Sequence, residues 1–130
     1  MNRTGLTLTI DEQHRKIVQA CKHLEEALTN NAPRCLLAER FNDLIEYAGE
    51  HFRDEELLLE KNYSYNLNAH REEHEEYITA LLEAVAPLKG ESGYRYHNIH
   101  RELLTPWWMA HIEREDSELP GLANSAVNRP

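Results

Sequence analysis

Glycine and proline are scarce in this chain, five of each in 130 residues, and cysteine is scarcer still at two. Few turn-forming residues means few reversals of direction, which favours a handful of long helices over a many-stranded sheet. Cys21 and Cys35 stand in no CxxC or other zinc-like spacing, so a thiolate metal centre is excluded and free thiols in a reducing cytosol are expected. Positive charge is also short. Fourteen Lys and Arg face 23 Asp and Glu, the net charge is −9, and no basic cluster exceeds a pair. That excludes the electrostatic footprint of a nucleic-acid or anionic-lipid binder. No apolar run approaches the roughly 20 residues of a membrane span. The opening "MNRTGLTLTI" lacks the apolar core of a signal peptide. A single cytoplasmic domain, long enough to bury a core without staples, is the expectation.

Histidine is what the chain has in excess, with eight residues. The stretch "NAHREEHEEY" places His70 and His74 four residues apart in a run of glutamates, either a solvated face or half of a metal site. The surrounding periodicity decides between them. Thr9 and Glu12 form a capping-box pattern, after which Ile10, His14, Ile17, Cys21, Leu24 and Leu28 follow one helical seam. "TNNAP" breaks that helix, and Pro33 suits the first turn of a second. The second seam carries Leu37, Phe41, Leu44, Ala48, His51, Glu55 and Leu58. "KNYSYN" reads as a turn into a third helix with Leu67, His70, His74, Tyr77 and Leu81, stopped by Pro87 and "KGESG". A fourth carries His100, Leu104, Trp107 and His111 and ends near "LPG" at 119–121. Steps of four and three mark the faces that pack inward in a bundle, and short connections make it an all-α, up-down-up-down four-helix bundle.

The histidines lie on those inward seams, so a solvated face does not explain them. His14 is near the start of the first helix, His51 and Glu55 near the end of the second, His70 and His74 near the start of the third, and His111 near the end of the fourth. With alternating direction these positions share one end of the bundle, a few turns apart at about 1.5 Å per residue. Burying five imidazoles and a carboxylate together costs several kcal/mol unless a cation is placed among them. So many nitrogen and oxygen donors exceed one tetrahedral zinc and suggest two bridged ions. Imidazole dominance makes non-haem iron the leading candidate, with manganese or zinc able to occupy the same ligands. A second bridging carboxylate must come from the fourth helix. Spacing favours Glu115, about 40° around from His111, over Asp116 at about 140°.

The pattern His14, His51-x-x-x-Glu55, His70-x-x-x-His74, His111-x-x-x-x-Asp116 resembles that of the hemerythrins, in particular the bacterial ones. "IDEQH", "HFRDEE", "NYSYNLNAHREEH" and "W..HI..ED" are similar to that family from about residue 10 to 119. The resemblance implies two non-haem iron ions with an oxo or hydroxo bridge at one end of the bundle, binding O2 reversibly. It assigns His70, His74 and His111 to one iron and His14 and His51 to the other, with Glu55 and Asp116 bridging and O2 entering at the two-histidine iron. Selecting Asp116 over Glu115 requires a local widening of the fourth helix, such as a π-bulge between 111 and 116. Trp107, Trp108 and Ile112 are the expected lining of the O2 pocket.

Three departures from the family pattern bear on that pocket. Trp108 stands where the family usually has leucine, and its indole either fills the pocket or swings out to leave a water channel. Only 13 residues precede His14, fewer than the family's Trp-bearing arm. Pro106 either kinks the fourth helix or starts it. The domain is drawn as 1–119, with 120–130 a polar tail or linker. The functional expectation is an O2 or redox sensing module attached to a fused or partner signalling output domain. A free-standing O2 carrier or storage protein is the alternative, and a di-iron enzyme acting on peroxide or nitric oxide is ranked last.

Overall fold

The computed structural model describes residues 8–62, 67–86, 101–119 and 121–125. Among these residues four α-helices form the up-down-up-down bundle: α1 Ile10–Thr29, α2 Arg34–Asn62, α3 Leu67–Val85 and α4 Thr105–Glu118. α2 packs between α1 and α3, and α4 returns against α1. Among the described residues no helix is long and apolar enough to cross a membrane.

The ends of the helices are written locally. At Thr9 the hydroxyl accepts from the Glu12 amide at 3.1 Å, and the Glu12 carboxylate accepts from the Thr9 amide at 2.8 Å, a complete capping box. α1 closes through a Schellman turn. Asn31 adopts φ 54°, the Ala32 amide reaches the Ala27 carbonyl and the Asn31 amide reaches that of Leu28. Asparagine tolerates the left-handed conformation that this turn needs. Pro33 sits one residue ahead of α2, its carbonyl accepting from Leu37. Pro106 lies in the first turn of α4, after a short 3₁₀ turn Arg101–Leu103, so it starts the helix and does not kink it. Pro87, "KGESG", His97 and His100 lie outside the described residues.

Two apolar clusters fill the interior. The larger one, from Ile17 through Leu24, Phe41, Leu44 and Leu81 to Trp108, occupies the middle of the bundle. The smaller one, Ile10, Leu58, Leu59, Leu119 and Leu122, closes one end. Each helix crosses from one to the other through a polar stretch: His14 between Ile10 and Ile17, Glu55 between Phe52 and Leu58, His70 and His74 between Leu67 and Tyr77, and Glu115 between Trp108 and Leu119. A layer of histidine and carboxylate is thus sandwiched between two dry ones.

Two expectations are corrected here. The inward seam of α4 runs Leu104, Trp108, His111, Glu115, with Trp107 half-buried on its flank. A turn from Leu104 to Trp108 continues in phase with His111 and Glu115, whereas Trp107 sits beside that line. The chain beyond 119 is also not all linker. Gly121, at φ 91°, turns it into a 3₁₀ turn Leu122–Asn124, Leu122 is buried, and the Ile10 amide donates to the Ser125 carbonyl at 2.8 Å.

Candidate metal centre

His14, His51, His74, His111, Glu55 and Glu115 are all at most 3% exposed, and His70 is 6% exposed. The four helices bring these seven side chains to one level. Ligand-type atoms of His14, His51, Glu55, His111 and Glu115 lie within 4.8 Å of one another, as do those of Glu55, His70 and His74. Glu55 belongs to both groups and is the centre of the arrangement.

The two carboxylates each face histidines with both oxygens. Glu55 Oε1 lies 2.8 Å from His74 Nε2, and Oε2 lies 3.3 Å from both His51 and His111 Nε2. Glu115 Oε1 lies 3.0 Å from His14 Nε2, and Oε2 3.0 Å from His111 Nε2. Burial would raise the Glu55 carboxyl, but His111, His51 and His74 outweigh it and hold it well below the ordinary carboxylate range. Burial pushes His14 and His51 below the usual imidazole range and His111 down to about 4. Burial acts the same way on His74, but Glu55 and Glu56 reverse it, and its pKa is raised. Neutral imidazole is the form that donates a lone pair to a metal.

Whether these residues fit a metal is answered by their inner atoms. Nε2 of His14, His51, His74 and His111 and both oxygens of Glu55 and Glu115 are buried without a hydrogen bond of proper geometry. They come within contact distance of each other but are not aligned as donor to acceptor. Buried polar atoms left this way are costly and rare, and so many converging on one point are what cations would satisfy. The set fits a bound metal.

Six of the seven expected ligands are brought together. Asp116 is not: it is exposed, and Glu115 occupies the interior position. α4 is α-helical throughout 105–118, with no π-bulge, so the residue four after His111 shares its face and the residue five after does not. His111 is also grouped by proximity with His14 and His51, not with His70 and His74.

Aromatic rings floor the cluster. Phe52 stacks on His74 with centroids 3.9 Å apart, and Trp107 stacks on His111 at 5.0 Å. Trp108 is fully buried, with its centroid 5.6 Å from that of His51 and 5.3 Å from that of His111. Its indole N–H donates to Tyr77 Oη at 2.7 Å, and the Tyr77 hydroxyl donates to the Leu103 carbonyl at 2.6 Å. The indole therefore fills the space beside His51 and His111 and does not swing out. Ile112 is half-buried.

Sequence reasoning missed Phe52, Gln13, Asp54 and Glu56. Gln13 Oε1 contacts His51 Nδ1 and Glu56 contacts His74 Nδ1, each at 2.8 Å. Adjacency to ligands in "EQH" and "RDEE" was their only signal. Of the glutamates around His74, Glu72, Glu75 and Glu76 are exposed and Glu73 pairs with Arg114. Cys21 is buried, its thiol pushed up to about 12 by burial, and Cys35 is exposed.

A four-helix bundle with a buried histidine and carboxylate cluster at one end defines a class of cation-binding proteins. The family model described as the hemerythrin HHE cation binding domain matches residues 6–123. The chain is 29% identical over 121 residues to a bacteriohemerythrin of Stenotrophomonas maltophilia, covering 92% of this chain and 76% of that one. It is 30% identical over 115 residues to a bacteriohemerythrin of Pseudomonas aeruginosa, covering 88% and 72%. A myohemerythrin of Theromyzon tessulatum is 25% identical over 112 residues, covering 86% and 81%. No solved structure gives a significant match. The chain belongs to the hemerythrin family.

Proposed function

We propose that this chain is a non-haem di-iron protein that binds O2 reversibly and serves as an O2 or redox sensing module. The observation that carries the di-iron reading is the set of orphaned inner atoms of four imidazoles and two carboxylates, with His70 beside them on the same level. On the family pattern His14 and His51 would hold one ion and His70, His74 and His111 the other, although His111 lies closer to the first pair in this structure. Glu55 and Glu115 would span them, since each turns one oxygen toward a histidine of either group. Bound iron would supply electrons to O2 and recover them on release.

The chain's own residues provide the rest. The carboxylates offset the charge of the ions, and the imidazoles keep the centre less anionic than a glutamate-rich one, which suits reversible binding over committed oxidation. Trp108, locked by Tyr77, and Phe52 exclude water from the His51 and His111 side. Sensing is supported by the path from Glu115 out of the site. The Leu119 amide donates to the Glu115 carbonyl at 2.8 Å, and Leu119 and Leu122 pack on Ile10 at the start of α1. A shift at Glu115 would reach the 119–125 segment directly. Carriage or storage of O2 is the second reading, favoured by the sealed Trp108, since a dry pocket prolongs the bound state.

Anaerobic loading with ferrous salt followed by desalting should leave two equivalents of iron. Retention far below that ends the di-iron reading. Amide exchange at 119–125 should then differ between reduced and oxidised protein for a sensor; identical exchange would favour carriage.

A further inference from the structure

The imidazoles on the two sides of the cluster are backed by different chemistry. His51 Nδ1 lies 2.8 Å from Gln13 Oε1, while Gln13 Nε2 lies 2.8 Å from Asp54 Oδ2. His74 Nδ1 meets a carboxylate directly, Glu56 Oε2 at 2.8 Å. His51 and Asp54 are each 1% exposed and Gln13 is 7% exposed, so water does not replace the contacts through Gln13. The Glu56 side chain is 24% exposed, and its other oxygen lies 3.5 Å from the Arg71 guanidinium. Among the described residues Nδ1 of His14, His70 and His111 has no hydrogen-bond partner, which makes the two backed rings distinctive.

We propose that Asp54, acting through the Gln13 amide, is a positioning residue that sets the tautomer and orientation of His51, and that Glu56 does the same for His74 without an intermediary. A carboxylate only accepts hydrogen bonds, so Asp54 must receive the amide N–H of Gln13. That turns the Gln13 oxygen toward His51, whose Nδ1 must then carry the proton and donate it. Nε2 of His51 is left bare, facing Glu55 Oε2 at 3.3 Å. Asp54, linked to the His51 ring through the Gln13 amide, thereby decides which His51 nitrogen can bind a cation. At His74 the same outcome follows from Glu56, and the negative charge sits one bond closer to the ring.

The two sides are therefore electronically unequal. A carboxylate on Nδ1–H raises the donor strength of the opposite nitrogen more than a neutral amide does. Resting on the di-iron reading, the His74 ion is the one better stabilised when oxidised, and the His51 ion the one held closer to its reduced form. That asymmetry comes from residues which neither contact O2 nor bind metal.

The isosteric variants Asp54→Asn, Gln13→Glu and Glu56→Gln of the full chain provide the test. Imidazole nitrogen spectra of the chain before loading should show His51 as the Nδ1–H tautomer, and D54N should release it to a mixture. In iron-loaded protein D54N should weaken one of two equivalents about ten- to a hundredfold against a competing chelator and leave the other unchanged. Q13E should lower the midpoint potential and E56Q should raise it, opposite shifts that a merely structural role would not give. Unchanged tautomer, affinity and midpoint in D54N and Q13E, with iron still bound, would overturn the proposal. Wild-type chain that retains no iron but keeps the Nδ1–H tautomer would instead overturn the di-iron reading and leave the positioning role standing.

Discussion

Glu115 and Asp116 differ by one backbone step and lie in opposite environments. Glu115 is 3% exposed between His14 and His111, while Asp116 is exposed to solvent. The 100° per residue of an unbroken α-helix accounts for this, and only a bulge would exchange them. Glu115→Ala should therefore cost at least one equivalent of iron after desalting, and Asp116→Ala should leave both in place. Metal analysis on the two variants decides the bridging carboxylate; loss of iron in Asp116→Ala alone would restore the bulged helix that the family pattern implies. The seven-position pattern made most of this centre legible before the fold. What it missed were groups whose identity is ordinary and whose partner is distant in the chain, such as Gln13, 38 residues from His51. Nothing about a glutamine before a histidine announces an acceptor for another helix's ring.

At the scale of the helices, local chemistry explains starts and stops. The Thr9 and Glu12 capping box holds the first turn of α1, four residues from His14. Its hydrogen bonds to Thr9 hold the Glu12 carboxyl below its ordinary value. A group whose pKa is depressed by folding stabilises the fold above its unfolded pKa, and that contribution fades as pH falls through the folded value. Glu12→Gln should lower stability in urea unfolding at neutral pH, and the difference from wild type should shrink in acid as the wild-type Glu12 protonates. A constant difference down to low pH would show that Glu12 plays no part. α4 is where sequence reading was least complete. A seam of Leu104, Trp107 and His111 and one of Leu104, Trp108 and His111 are both helical, and two adjacent tryptophans satisfy either. The hydrogen bond from Trp108 to Tyr77 on α3 selects the second.

The whole molecule carries a polar layer between two apolar clusters, in a chain whose net charge is −9. Such a layer is a weakness when its inner atoms are unsatisfied and a reinforcement when cations join the four helices through it. A ligand that binds only the folded state at a hundred times its dissociation constant adds about 2.7 kcal/mol. For a domain of this length that is a rise in Tm on the order of 10 °C. Thermal scans should show that rise on ferrous loading under anaerobic conditions and lose it with a chelator. An unchanged Tm would mean that the bundle is not held together through its histidines.

Periodicity and spacing alone determined that this chain makes four helices, that five histidines and Glu55 lie on their inner seams, and that these meet at one end. Those properties follow from 3.6 residues per turn and alternating direction, and both can be counted along the chain. The same count along an unbroken helix favours Glu115 over Asp116 as the inward carboxylate, as found. Tertiary structure decided which of two neighbouring tryptophans turns inward. It also decided that Asp54, Gln13 and Glu56 stand behind the rings, and that residues 121–125 seal the end of the bundle. Each of these depends on a rotation of one helix against another, or on a partner tens of residues away, which no local pattern encodes.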